Sequence, residues 1–197
     1  MRLTLKALYP NPFVPAEFWT LVLTHMMFFV TIYEDKVKAY TVKADFMIEE
    51  RLAELNIVLP RPPKPAGSYV PVVITDKLVY VSGQIPIKDG AIQYTGKVPN
   101  DLTIEEAQKA AKLCIINALA QIRDKLGNLD KISKIVRVSG FVNSSPEFTD
   151  QPKVINGASE LLYEIFGQKG QHTRIAVGVS SLPLNSAVEI DLIAEIS

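Results

Sequence analysis

The chain has 197 residues, of which 48% are hydrophobic, and it balances 21 Lys and Arg against 21 Asp and Glu. That length supports one well-buried core, and the zero net charge excludes a global basic surface of the kind that gathers nucleic acid. The single cysteine, Cys114, cannot form an internal disulfide, and His25 and His172 are too scattered to complete a zinc site with it. The composition therefore favours a reduced, cytoplasmic protein with no metal and no cofactor.

The first 46 residues differ in composition from the rest of the chain. Three prolines precede an uncharged apolar run of 16 residues, at positions 18–33. This run is shorter than the roughly 20 residues that cross a bilayer as a helix, and no convincing cleavage site follows it. Membrane contact through the run is the weaker interpretation. We favour a natural start at Met47, with residues 1–46 an extension of doubtful status and residues 47–197 the domain.

The domain opens with a charged, helix-forming stretch at residues 47–55, followed by four prolines within residues 60–65. Fixed φ angles and missing amide donors suit that proline segment to an extended arm. Short β-branched runs then predict a hairpin from residues 70–74 and 78–82, with a further short strand near residues 92–94.

A long helix is the most strongly indicated element. Beyond Thr103 the apolar residues recur at steps of three and four, from Ala107 to Ile122. Thr103 and Glu106 have the spacing of a capping box, and Gly127 stands where a left-handed C-terminal cap is wanted. The sequence therefore predicts a helix whose two ends are both fixed by local chemistry.

The remaining elements complete an α+β order. A strand is expected at residues 132–142, a second helix at 152–166 that stops at Gly167, and two closing strands at 173–180 and 187–196. Both helices need an apolar surface, and a mixed β-sheet with the two helices packed on one face supplies it. The other face of the sheet then needs a partner, for which self-association is the economical answer.

No standard reactive set occurs in the sequence: a nucleophile elbow, a P-loop and a dinucleotide glycine fingerprint are all missing. Cys114 lies on the apolar face of the long helix, which favours an inert core thiol. His172 could carry protons, although a loop histidine with ordinary hydrogen bonds is the preferred interpretation. Polar chemistry without a strong nucleophile is what remains.

Arg174 is the first candidate for that chemistry, because it opens an apolar strand and its planar fork can hold a carboxylate bidentately. The alternative is a structural ion pair with Glu189. If residues 181–186 close a simple hairpin, Gly178 faces Glu189, and Arg174 then lies about four residues along, roughly 13 Å away at ~3.3 Å per residue. A direct pair within one chain is awkward in that register.

Two other places could contribute to a site. Ser82 and Gly83 end a predicted strand, where small residues let backbone N–H groups approach a ligand, and Tyr69 adds a flat wall and a hydroxyl. A plain turn is the alternative there. Glu189 and Asp191 share one face of the final strand by alternation, and solvated carboxylates are the alternative for them.

Taken in order, these residues resemble the reactive intermediate deaminase family, also called RidA or YjgF, as a divergent subgroup. The resemblance covers residues 66–196. The stretches that carry it are Gly67-Ser-Tyr-Val, Val81-Ser-Gly-Gln-Ile-Pro, Glu106-Ala, Asn117-Ala-Leu, Val136-Arg-Val, Phe141-Val, Asn156, Arg174 through Leu182-Pro, and Val188-Glu-Ile.

The resemblance implies a chorismate-mutase-like fold, a homotrimer with sites between subunits, and hydrolysis of enamine or imine acids such as 2-aminoacrylate to 2-keto acids and ammonia. It implies that Arg174 binds the substrate carboxylate and that Glu189 positions water. By the same match, the residues that line the cleft are Tyr69, Ser82, Gly83 and Asn156, with Ala176 at a position where many relatives have cysteine.

Further departures are Gly-Ser-Tyr where many relatives have Gly-Pro-Tyr, and a longer segment around residues 98–103. They leave the true substrate open, and also whether this subgroup turns substrate over. A ligand-binding or regulatory trimer that uses the same cleft is the main alternative. An endoribonuclease is the least favoured, since the chain has zero net charge and no clear basic stripe.

Overall fold

The computed structural model describes residues 47–62 and 67–197. The extension at residues 1–46, with its apolar run, lies outside the described residues, as do residues 63–66, which include the second half of the proline arm. The described helices are α1 (Ile48–Glu54), α2 (Ile104–Leu126) and α3 (Gln151–Phe166). The strands are β1 (Val72–Thr75), β2 (Leu78–Gln84), β3 (Ile87–Lys88), β4 (Ala91–Ile92), β5 (Ile132–Asn143), β6 (Thr173–Val179) and β7 (Val188–Ile196).

Five of these strands form one mixed sheet in the order β1-β2-β7-β5-β6, and β3 and β4 form a separate small hairpin. The β5–β6 pair is parallel, and the other pairs in the sheet are antiparallel. Helix α2 packs on β2 and β7, and α3 packs on β5 and β6 beside it. The predicted α+β class, with two helices on one face of a mixed sheet, is confirmed. None of the described helices is long and apolar enough to cross a membrane.

Local chemistry fixes both ends of α2 and the C-terminal end of α3 as expected. The N–H of Glu106 donates to Thr103 Oγ1 at 3.2 Å, and the N–H of Thr103 donates to Glu106 Oε2 at 2.9 Å, which completes the capping box. Gly127 has φ 91° and Gly167 has φ 57°. This left-handed backbone is accessible to glycine without a Cβ clash, so each helix ends where its glycine stands.

The pairing of the last two strands differs from the expected hairpin. β5 lies between β6 and β7, so Gly178 faces Val142 and Glu189 faces Phe141. The predicted register of Gly178 with Glu189 is therefore wrong. The physical reason is burial. Every second residue of β7, such as Ile190, is buried, which suits the centre of the sheet, whereas most residues of β6 are exposed, which suits an edge.

The two faces of the sheet have different environments. The helix face carries Val138, Ile190 and Leu192, which are fully buried beneath the helices. The opposite side, called here the open face, carries large apolar side chains that remain exposed. They include Val73 (49% exposed), Tyr80 (38%), Ile175 (40%) and Val177 (36%).

Candidate functional site

Arg174 projects from β6 on the helix face, because it is paired with the fully buried Val138. Its Nη1 donates to Asn156 Oδ1 at 2.9 Å and to Ser159 Oγ at 3.1 Å. Asn156 and Ser159 are three residues apart on α3, so both project from the same side of that helix. The structure thus brings together two of the predicted site residues, Arg174 and Asn156, and adds Ser159.

The structural ion pair considered for Arg174 does not form among the described residues, where the salt bridges involve other side chains. Ala176 lies two residues beyond Arg174 on the same face, opposite Gly140, and packs half-buried against the core. Ala176 therefore places a small apolar side chain on the same face of β6 as Arg174.

His172 contacts Ser159, a contact that sequence reasoning did not predict. Its Nδ1 lies 2.6 Å from the carbonyl oxygen of Gly170, and its Nε2 lies 3.1 Å from Ser159 Oγ. Burial lowers the pKa of His172; the bond to Gly170 opposes this, and the positive charge of Arg174 lowers the pKa further. The imidazole is therefore neutral at pH 7. We call this region the arginine half-site; it consists of Arg174, Asn156, Ser159, His172 and Ala176.

Glu189 lies on β7 opposite Phe141 and projects from the open face. A Cβ at Gly83 would overlap Glu189 Oε1, so glycine at this position gives the carboxylate its space. Strand β2 bulges between Val81 and Gln84, which places Gly83 beside the carboxylate. Burial raises the pKa of Glu189, and the nearby charge of Asp191 raises it further.

The segment before β1 approaches the same end of β2. The N–H of Ser82 donates to the carbonyl oxygen of Pro71 at 2.9 Å, and Tyr69 stands two residues earlier with its side chain 54% exposed. The structure thus places Gly83 beside Glu189, with Ser82 next to Gly83 and Tyr69 on the segment that leads to Pro71. We call this region the glutamate half-site; it consists of Tyr69, Ser82, Gly83 and Glu189.

The two half-sites do not form one cleft within the chain. The row of paired residues that begins at Glu189 passes through Phe141 to Val177, three residues beyond Arg174 and on the other face of the sheet. Two strand spacings of ~4.8 Å and three residues of ~3.3 Å separate the Cα atoms of Arg174 and Glu189 by roughly 14 Å. A direct pair of Arg174 and Glu189 within one chain is therefore ruled out by distance, as expected. The reason differs from the expected one, because β5 lies between the two strands that carry them.

Other chemistry is limited in the described part of the chain. The thiol of Cys114 is fully buried on α2, and its burial raises its pKa well above the ordinary value, which makes it a poor nucleophile. Among residues 47–62 and 67–197, no group of three His, Cys, Asp or Glu side chains could hold a metal ion.

A five-stranded mixed sheet with two long helices on one face defines a class of small α+β proteins that includes the family predicted from the sequence. Residues 49–196 match the YjgF/chorismate mutase-like family, a group also labelled endoribonuclease. The chain belongs to this family, and the prediction is confirmed.

Several relatives resemble the chain over nearly their whole length. Protein TCP17 of Trypanosoma cruzi is 40% identical over 158 residues, which are 80% of this chain and 99% of that protein. A 2-iminobutanoate/2-iminopropanoate deaminase of Dermatophagoides farinae is 31% identical over 140 residues, which are 71% of this chain and 94% of that protein. The crystal structure of Atu1372 from Agrobacterium tumefaciens, a protein of unknown function, is 46% identical with a TM-score of 0.72, covering 81% of this chain and 99% of that one.

Proposed function

We propose that the protein is a cytoplasmic deaminase that hydrolyses reactive enamine or imine acids, such as 2-aminoacrylate, to 2-keto acids and ammonia. The observation that carries the proposal is the guanidinium of Arg174, which α3 holds in place and which has no acidic partner among the described residues. A planar cation held in this way is suited to a substrate carboxylate. The deaminase among the relatives supports the choice of reaction.

The proposal includes a homotrimer whose sites lie between subunits. Arg174 and Glu189 project from opposite faces of one sheet, so a single chain cannot direct both at one small substrate. Exposed apolar side chains on the open face, such as Val177 and Tyr80, favour covering of that face by another copy. The glutamate half-site of one subunit would then meet the arginine half-site of its neighbour.

The chemistry in such a cleft needs neither metal nor cofactor. Arg174 would fix the carboxylate. The enamine takes a proton from solvent at its terminal carbon and loses one from nitrogen, which gives the imine. Glu189 would orient a water molecule and accept its proton as the oxygen attacks the imine carbon. Returning that proton to nitrogen gives a carbinolamine. Transfer of its hydroxyl proton to nitrogen then breaks the C–N bond, which releases ammonia and leaves the 2-keto acid. Because the imine is already electrophilic, orientation can supply much of the acceleration.

The first test is release of 2-keto acid from an imine or enamine generated in place by an amino-acid oxidase or a dehydratase. We expect wild type to accelerate release, and Arg174→Ala to lose this acceleration by on the order of 100-fold, since the carboxylate is no longer positioned. Arg51→Ala is the matched control, because Arg51 is a partly exposed arginine on α1 that contacts Glu54 and the backbone of Glu164.

Two outcomes would oppose the proposal. A folded, assembled wild type that gives no acceleration contradicts deaminase activity, and saturable carboxylate binding that Arg174→Ala abolishes would then indicate a ligand-binding trimer. Salt-dependent RNA binding that survives Arg174→Ala would favour the endoribonuclease alternative.

The start at Met47 stays a prediction, which mass spectrometry of the natural N-terminus tests.

A further inference from the structure

The guanidinium of Arg174 has two edges that could hold a carboxylate bidentately. An end-on carboxylate uses N–H groups of Nη1 and Nη2, whereas a side-on carboxylate uses those of Nε and Nη2. Nη1 has two N–H groups, and it donates to Asn156 Oδ1 and to Ser159 Oγ. Among the residues that the structure describes, none accepts from Nε or Nη2. The contacts with α3 therefore occupy the end-on edge and leave the side-on edge available.

Hydrogen bonds run in series from Gly170 through His172 and Ser159 to Arg174, and the direction of each one fixes the direction of the next. The carbonyl oxygen of Gly170 can only accept, so Nδ1 of His172 carries the proton in their 2.6 Å contact. In the neutral ring Nε2 is then an acceptor, and the hydroxyl of Ser159 donates to it across 3.1 Å. The lone pairs of Ser159 Oγ consequently remain for Nη1 of Arg174.

Burial favours the neutral form of His172 that this chain of bonds requires. Arg174 is the charged group that affects the ring, and its positive charge acts in the same direction. The group therefore needs no bound ligand to set the orientation of Ser159. It holds Nη1 before any carboxylate arrives, which reduces the entropy lost on binding.

We propose that Ser159 and His172 are positioning residues that hold Arg174 through Nη1, so that the ligand carboxylate binds side-on to Nε and Nη2. This inference rests on the proposed carboxylate-binding role of Arg174 and goes beyond it by assigning the edge and the two residues that set it. Neither residue touches the ligand in this arrangement.

Substitutions at His172 separate its two hydrogen bonds. Glutamine can reach Ser159 with a carbonyl oxygen in place of Nε2, whereas asparagine can replace only the Nδ1 donor to Gly170. Ser159→Ala removes the acceptor for Nη1 directly. Ser133→Ala is the control, because it also removes a hydrogen-bonded serine hydroxyl, one that donates to the carbonyl oxygen of Glu195 on the neighbouring strand.

The experiment measures binding of pyruvate, a 2-keto acid of the class that the proposed reaction releases, to the full-length chain by calorimetry. We expect Ser159→Ala and His172→Asn to weaken binding roughly tenfold, as for loss of one hydrogen bond to a charged group. His172→Gln should bind close to wild type, as should Ser133→Ala. Thermal unfolding of each variant checks that it is folded.

A second readout reports which edge is used. In protein labelled with nitrogen-15 at arginine Nε, pyruvate should shift the Nε–H resonance of Arg174 downfield, and Arg174→Lys identifies that resonance by its loss. A wild type that binds pyruvate without this shift would overturn side-on binding.

The two proposals fail in different ways. If wild type and Arg174→Ala bind pyruvate equally or not at all, the carboxylate-binding role of Arg174 fails. If wild type binds through Arg174 but Ser159→Ala and His172→Asn match it, the positioning role alone fails. Equal weakening by His172→Asn and His172→Gln would also overturn it, because the contact with Ser159 would then not be the one that matters.

Discussion

The arginine and glutamate half-sites differ in how far one chain completes them. Arg174 on the helix face is held by Asn156 and Ser159, with His172 behind Ser159. Glu189 on the open face is half-buried and has no hydrogen-bond partner among the described residues, and the surface around it is partly apolar. The difference indicates that folding alone orders the first half-site, whereas the second depends on what covers the open face.

The largest expected effect comes from placing a charge on the open face. Val177→Asp should prevent assembly, since a carboxylate is costly to bury in an apolar contact, and should lower deaminase activity by on the order of 100-fold. The contacts of Arg174 with α3 lie on the other face and should survive. Sedimentation and keto-acid release measure the two effects.

Val58→Asp is the control for that variant, because Val58 is 87% exposed and lies outside the sheet. We expect it to assemble and react as wild type does. An assembled, active Val177→Asp protein would show that the open face is not the contact surface, and the comparison of the two half-sites would lose its basis.

A smaller effect is expected from Gly83→Ala. The added Cβ would overlap Glu189 Oε1, and the flexible side chain would swing away from its position. We expect turnover to fall on the order of tenfold with the fold retained, because the carboxylate is misplaced rather than removed. In a Glu189→Gln background the same substitution should add little, which a double-mutant cycle measures. Additive losses would mean that Gly83 acts on something other than Glu189.

Asp191→Asn should change the pH dependence more than the maximal rate. Burial and the charge of Asp191 both raise the pKa of Glu189, so removing that charge favours the ionised carboxyl and lowers the pKa. If Glu189 acts as a base, the acid limb of the rate profile moves to lower pH. Glu195→Gln, farther along the same strand, should leave the limb in place. A shift to higher pH in Asp191→Asn would contradict the role of Glu189 as a base.

The smallest effect on activity is expected from Thr103→Ala, which opens the capping box of α2. We expect the free energy of unfolding to fall by about 1 kcal/mol, with turnover at 25 °C unchanged because both half-sites lie elsewhere. Thr149→Ala is the control, since Thr149 is exposed and makes no side-chain hydrogen bond in the described part of the chain. A parallel loss of turnover in Thr103→Ala would show that activity follows stability rather than half-site geometry.

Local chemistry explains which parts of the fold could be predicted. The capping box at Thr103 and the glycines at 127 and 167 fix helix ends through neighbouring residues, and sequence reveals these directly. The order of β5, β6 and β7 depends instead on which strand the sheet buries, so the expected hairpin was wrong.

The candidate site shows the same limit. Arg174 was a candidate because it opens an apolar strand, Asn156 was identified by resemblance, and the structure brings the two into contact. Ser159 and His172 were missed as parts of the site because their contact arises only when α3 docks against the strand that carries Arg174. A small residue one helical turn from Asn156, and a histidine two residues before Arg174, were the available signals.

The central claim is that each site combines Arg174 of one chain with Glu189 of another. The most direct measurement co-expresses Arg174→Ala and Glu189→Gln chains with different tags and assays purified mixed assemblies. Each variant alone should be nearly inactive, whereas a mixed trimer restores both residues in one of its three sites, so about a third of wild-type activity should return. Mixed assemblies no more active than either variant alone would place both residues of a site on the same chain and contradict the account.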